Sequence, residues 1–107
     1  MVRTFYRIVR SDSPTTADFT SNQAKGLAAP DDPGRRRLWD GLSCYNTEAQ
    51  ARRSALKRPA LGRYIARLEI PERSPIRAER TLSSSGHHTI WGEAVDLLRC
   101  IVSISKA

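Results

Sequence analysis

A chain of 107 residues is one domain long, enough to bury about two thirds of its unfolded surface around a single core without metal or disulfide support. Its two cysteines exclude a disulfide-dense scaffold, and no stretch approaches the roughly 18 apolar residues of a membrane-spanning helix. Lys and Arg number 18 against 11 Asp and Glu, a net charge of +7 carried almost wholly by arginine, since lysine occurs only at Lys25, Lys57 and Lys106. Guanidinium forks match phosphate and carboxylate geometry, so the surplus points to an anionic partner: a dinucleotide, a nucleic acid or an acidic protein. A merely solvated basic face is the alternative.

In chain order, Phe5, Tyr6, Ile8 and Val9, interleaved with Arg3, Arg7 and Arg10, predict a first strand that stops at Ser11 to Pro14. This arginine-broken stretch does not read as a signal peptide, and with cysteines expected to be reduced the expected location is the cytoplasm. A helix is expected next, capped by Thr15 with Asp18 completing a capping box, anchored by Phe19 and stopped at Gly26. Pro30, the two aspartates, Pro33 and Gly34, followed by Arg35, Arg36 and Arg37, predict a loop. Leu38 and Trp39 restart order before Gly41.

Leu42 to Tyr45 reads as a short strand running into a helix at Thr47, where Thr-x-x-Gln forms a second capping pattern. Ala51, Ala55 and Leu56 make its apolar stripe, and Arg58-Pro59 ends it. Over Gly62 to Ile70, Tyr64, Ala66, Leu68 and Ile70 alternate with charged residues, the period of a strand with one buried face. A weaker strand is expected over Ile76 to Leu82, a flexible tip at Ser83 to Gly86, and a strand at His87 to Trp91. A short helical stripe follows at Ala94, Leu97 and Leu98, then a last strand whose inward residues are Cys100, Val102 and Ile104. The fold class is α+β: one small domain, a mixed and mostly antiparallel sheet, and two or three helices.

Several chemistries find no support in the spacing. His87 and His88 are adjacent on a strand and so face opposite sides, and neither Cys44 nor Cys100 has a partner at ligand spacing, so no metal is expected. The roles of the two histidines stay open. Gly41-Leu42-Ser43-Cys44-Tyr45 lacks the glycine that follows the serine in a nucleophile elbow, and neither a Walker lysine loop nor Gly-x-Gly-x-x-Gly occurs.

What stands together is an ordered series: arginine on an early strand, Ser43 and Tyr45 on the strand before a helix, and Glu93 ahead of the final strand. This series resembles the small ADP-ribosyltransferase-like domains, toxin-type members included. The resemblance implies NAD as cofactor, with Arg7 or Arg10 holding it, Ser43 and Tyr45 shaping the nicotinamide pocket, and Glu93 contacting the ribose. Tyr45 and Glu93 take the catalytic places, while Arg7, Arg10, Ser43 and Trp91 bind the cofactor, Trp91 being a second ring able to stack on nicotinamide. Breaking the nicotinamide–ribose bond develops positive charge on the sugar, which a carboxylate stabilises most in the transition state. Ser43-Cys44-Tyr45 differs from the Ser-Thr-Ser of one large branch, and no Glu-x-Glu pair accompanies Glu93, so modification of arginine or serine on a target is not expected.

A second reading has no catalysis: Arg35, Arg36, Arg37, Arg52 and Arg53 contact nucleic-acid phosphates, with affinity falling steeply in salt. A third is a protein-binding partner, as in a toxin and antitoxin pair or a phage accessory protein.

Overall fold

In the computed structural model, the described residues are 2–21, 26, 28, 31–33, 39–81 and 86–107. They form one six-stranded sheet, antiparallel at every junction, and two helices. The strands are β1 (Val2–Val9), β2 (Leu42–Tyr45), β3 (Tyr64–Pro71), β4 (Arg77–Arg80), β5 (His87–Trp91) and β6 (Ile101–Lys106); the helices are α1 (Glu48–Lys57) and α2 (Ala94–Arg99). Across the sheet the order is β4-β5-β2-β1-β3-β6. The α+β class is therefore as expected, and the sheet is antiparallel rather than mixed.

One face of the sheet carries the core. Phe5 and Val9 from β1, Leu42 and Cys44 from β2, Leu68 and Ile70 from β3 and Ile90 from β5 pack there beneath Phe19 and Leu97. Phe19 comes from a 3-10 turn, Thr16–Phe19, that is shorter than the helix expected from Thr15 to Gly26. The capping box is present as read, with Thr15 and Asp18 bonding reciprocally, but Thr20 turns extended and ends the coil after four residues. Gly26 has the positive φ of a left-handed stop, and residues 22–25 before it lie outside the described residues.

The opposite face is covered by α1, which Thr47 caps by accepting from the Gln50 amide and Arg58 ends. Ala51 and Ala55, one turn apart, let the axis lie close to β1, β2 and β3. Leu56 does not share that stripe and is 69% exposed, because the next residue of a helix lies about 100° further round. Under α1, Ile65 is fully buried beside its register partner Ile8, so β3 has apolar residues on both faces.

A second phase correction concerns β6. Val102, expected inward, is 53% exposed. The register with β3 shifts between Ala66↔Ile104, Arg67↔Ser103 and Leu68↔Ile101, and the extra residue of this bulge turns Val102 away from the core. Cys100 ends α2 instead of opening the strand.

Both cysteines are free thiols. Cys44 is fully buried, and its thiol is pushed up to about 12 by burial, against a smaller opposing pull from Arg7 and Arg3. Burial also raises the half-buried Cys100 thiol, with Asp96 adding to it. The thiolate is the reactive species. A disulfide-exchange reagent at pH 8 is therefore expected to leave Cys44 unmodified in the native protein and to label both thiols in denaturant. Rapid native labelling of Cys44, read by peptide mass, would contradict its enclosure.

Candidate functional site

The sheet's shortest ladder lies at its centre, between β1 and β2. From Val2↔Pro71 to Val9↔Tyr64, β1 stays in register with β3, but its pairing with β2 consists of the single aligned pair Tyr6↔Tyr45. Beyond that pair the two strands part. β2 instead follows β5 from Leu42↔Ile90 to Tyr45↔His87.

Arg7 fills the fork. Its Nε donates to the Asp18 carbonyl at 2.9 Å and one terminal nitrogen donates to the Ser43 carbonyl at 2.6 Å, a backbone acceptor that a continued β1–β2 ladder would have used. The guanidinium also lies 5.7 Å from the centre of the Phe19 ring. Enclosure lowers its pKa through desolvation, with Cys44 and Asp18 opposing; arginine starts so high that the charge persists at neutral pH. Among the described residues, two of its five N–H donors are engaged, by these two bonds.

The fork opens into a hollow of about 640 Å3, bordered by Arg7, Arg10, Ser43, Tyr45, Asp18 and Leu61 among others. That volume is in the range of small-molecule and cofactor sites. Ser43 is exposed there, and among the described residues its hydroxyl has no hydrogen-bond partner. Tyr45 is held from two sides: its hydroxyl shares a 2.7 Å hydrogen bond with Ser54 of α1, and its ring meets His87 edge-on at 5.5 Å.

Asp18 organises one wall. Its carboxylate accepts from the amides of Arg10 and Thr15, while its carbonyl takes the Arg7 bond, so one residue of the 3-10 turn fixes the end of β1 and the guanidinium together. The capping pattern was legible in the sequence, but this reach back to Arg7 and Arg10 was not, because it depends on the turn folding over β1.

The expected site residues divide. Arg7, Arg10, Ser43 and Tyr45 border the same hollow. Glu93 does not: it precedes α2 as the N-cap residue, makes no capping bond, and borders a separate hollow of about 490 Å3 with Asp40, Asp96 and Phe19. Trp91 borders neither of these two; Arg77 stacks on its ring at 5.6 Å. For the nucleic-acid reading, Arg35, Arg36 and Arg37 lie outside the described residues. Arg52 is engaged by Glu48 at 2.9 Å and by the Lys106 carbonyl, whereas Arg53 is exposed.

His87 and His88 differ as their adjacency predicts. His88 lies on the core side against Phe5, with ring centres 5.1 Å apart, while His87 is buried beside Tyr45 with Nδ1 3.0 Å from the Thr81 hydroxyl. Burial pulls the His87 pKa below its ordinary value, a backbone hydrogen bond at Thr81 opposes this, and His88 adds a smaller downward pull. The folded state therefore binds this proton less readily than the unfolded chain. Stability should hold above neutrality and fall as pH drops through the unfolded-state value of about 6.5 toward the depressed folded one. Thermal midpoints measured from pH 7.5 to 5.5 are expected to decline, and less so in His87→Gln; identical declines would contradict the assignment.

Among the described residues no three His, Cys, Asp or Glu side chains converge as metal ligands, and no helix is long and apolar enough to cross a membrane. No protein-family model, curated protein or solved structure matches the chain.

Proposed function

We propose that the chain is an ADP-ribosyltransferase-like protein that binds NAD in the hollow between β1 and β2. The observation that carries this reading is the fork itself: a charged guanidinium with donors that no described residue takes up stands where a strand pair opens, bordering the same hollow as the Ser43 hydroxyl and a fixed aromatic ring. Arg7 is the pyrophosphate clamp, since its remaining N–H groups form the planar fork that bidentate phosphate recognition needs. Arg10 adds a second exposed positive charge at the same border. Ser43 and Tyr45 then border the nicotinamide.

The position of the carboxylates limits the chemistry. Cleavage of the nicotinamide–ribose bond calls for a negative group at the ribose, yet Glu93 faces the neighbouring hollow and the Asp18 carboxylate is occupied by two backbone amides. Ligand binding is thus the primary activity of this site, and any cleavage is slow. Calorimetric titration with NAD, paired with measurement of released nicotinamide, tests the reading in wild type, Arg7→Ala and Glu93→Gln. Binding by wild type and Glu93→Gln, lost in Arg7→Ala, supports it. Absence of binding in the wild type overturns it.

A further inference from the structure

The hollow has two chemically different sides. Arg10, Ser11, Thr15 and Asp18, from the end of β1 and the 3-10 turn, make one side polar. Ile8, Tyr45, Ala60 and Leu61 supply an apolar part of the lining, with Ile8 and Tyr45 on the face that α1 covers. Ile8 and Tyr45 share that face by register, because Tyr6↔Tyr45 and Ile8↔Ile65 put both on the surface that α1 covers. Leu61 belongs to a second 3-10 turn, Pro59–Leu61, directly after α1, and is 44% exposed.

The position of that turn is enforced. Gly62 has φ +142°, and a Cβ there would stand 2.2 Å from the Val9 carbonyl oxygen, so only glycine lets the turn close on the end of β1. The close approach sets Leu61 at the rim of the hollow that Arg7 and Arg10 also border. A single exposed leucine is ordinary on any surface. Here it borders the same hollow as Tyr45 and Ile8, together with Arg7 and Arg10.

We infer that Ala60 and Leu61 form an apolar wall for the flat ring of a nucleotide whose phosphates lie on Arg7 and Arg10, so that the smallest ligand recognised is a nucleoside diphosphate and not a bare polyphosphate. This rests on the NAD reading for its biological ligand, but its chemistry is tested separately. A ring laid on Leu61 removes the remaining exposed methyl groups from water, whereas pyrophosphate reaches only the cationic side.

The test is titration of the full chain with ADP, inorganic pyrophosphate and NAD, in wild type, Arg7→Ala and Leu61→Asn. Leu61→Asn is neutral and similar in size at a half-exposed position, so folding is preserved. ADP is expected to bind at least about tenfold more tightly than pyrophosphate, and Leu61→Asn to lose about tenfold for ADP and NAD with pyrophosphate unchanged. Equal affinity for ADP and pyrophosphate, an unaltered ADP affinity in Leu61→Asn, or no binding of ADP overturns the wall. If ADP follows the expected pattern and NAD does not bind, the wall stands and the NAD reading falls. If NAD binding needs Arg7 but ignores Leu61, the NAD reading stands and the wall falls.

Discussion

Replacing Arg7 with alanine is expected to weaken NAD binding about a hundredfold while costing the fold only about 1–2 kcal/mol. The two effects have separate origins. Charge-assisted bonds from a planar guanidinium to phosphate contribute roughly 1.5–3 kcal/mol each, and a ligand spanning the donors that no described residue takes up would lose more than one of them. The stability cost comes from the Ser43 and Asp18 carbonyls that Arg7 now satisfies. Because the hollow is open, water can reach both acceptors after truncation, which keeps the penalty below that of a sealed site. Arg7→Lys separates the contributions. It keeps the charge but not the fork, so binding should recover in part while the geometry-dependent share stays lost. Equal NAD affinity in wild type and Arg7→Ala, by calorimetry on protein with unchanged circular dichroism, would remove Arg7 from the site.

Gly62→Ala should be the most damaging conservative change among the described glycines that border backbone. At φ +142° an L side chain is strained wherever it points, and here the added carbon would also meet the Val9 carbonyl at 2.2 Å and its carbon at 2.7 Å. The obstacle is backbone belonging to the long β1–β3 pairing, which cannot swing aside as a flexible side chain would. A loss of about 3 kcal/mol is expected, a large share of the stability of a domain this size, lowering the thermal midpoint by roughly 12–20 °C. By contrast Gly26, with φ +77° and open space around it, should lose far less on the same change. A Gly62→Ala protein melting within a few degrees of wild type would contradict the close approach.

Period-two alternation at Tyr64, Ala66, Leu68 and Ile70 and the capping residues Thr15 and Thr47 announced the elements in which they lie, because these signals depend on neighbours a few positions away. Local signals misplaced Val102 and Leu56. A bulge against β3 decides the phase of the first, and the angular position of α1 over the sheet decides the exposure of the second. For the candidate site, Arg7, Arg10, Ser43 and Tyr45 were legible as residue types on two strands, and those strands prove to be neighbours that fork. The walls contributed by Asp18 and Leu61 could not be read, since they follow from how two 3-10 turns approach β1, and neither could the separation of Glu93, which borders the other hollow.

Contact of NAD with the hollow between β1 and β2 is the central claim. Backbone amide chemical shifts of the isotopically labelled wild-type chain, followed during NAD titration, are predicted to move at Arg7 to Ser11, Thr15 to Asp18, Ser43 to Tyr45 and Ala60 to Gly62, and to saturate together. Shifts centred instead on Asp40, Glu93 and Asp96, or a spectrum that NAD leaves unchanged, would contradict it.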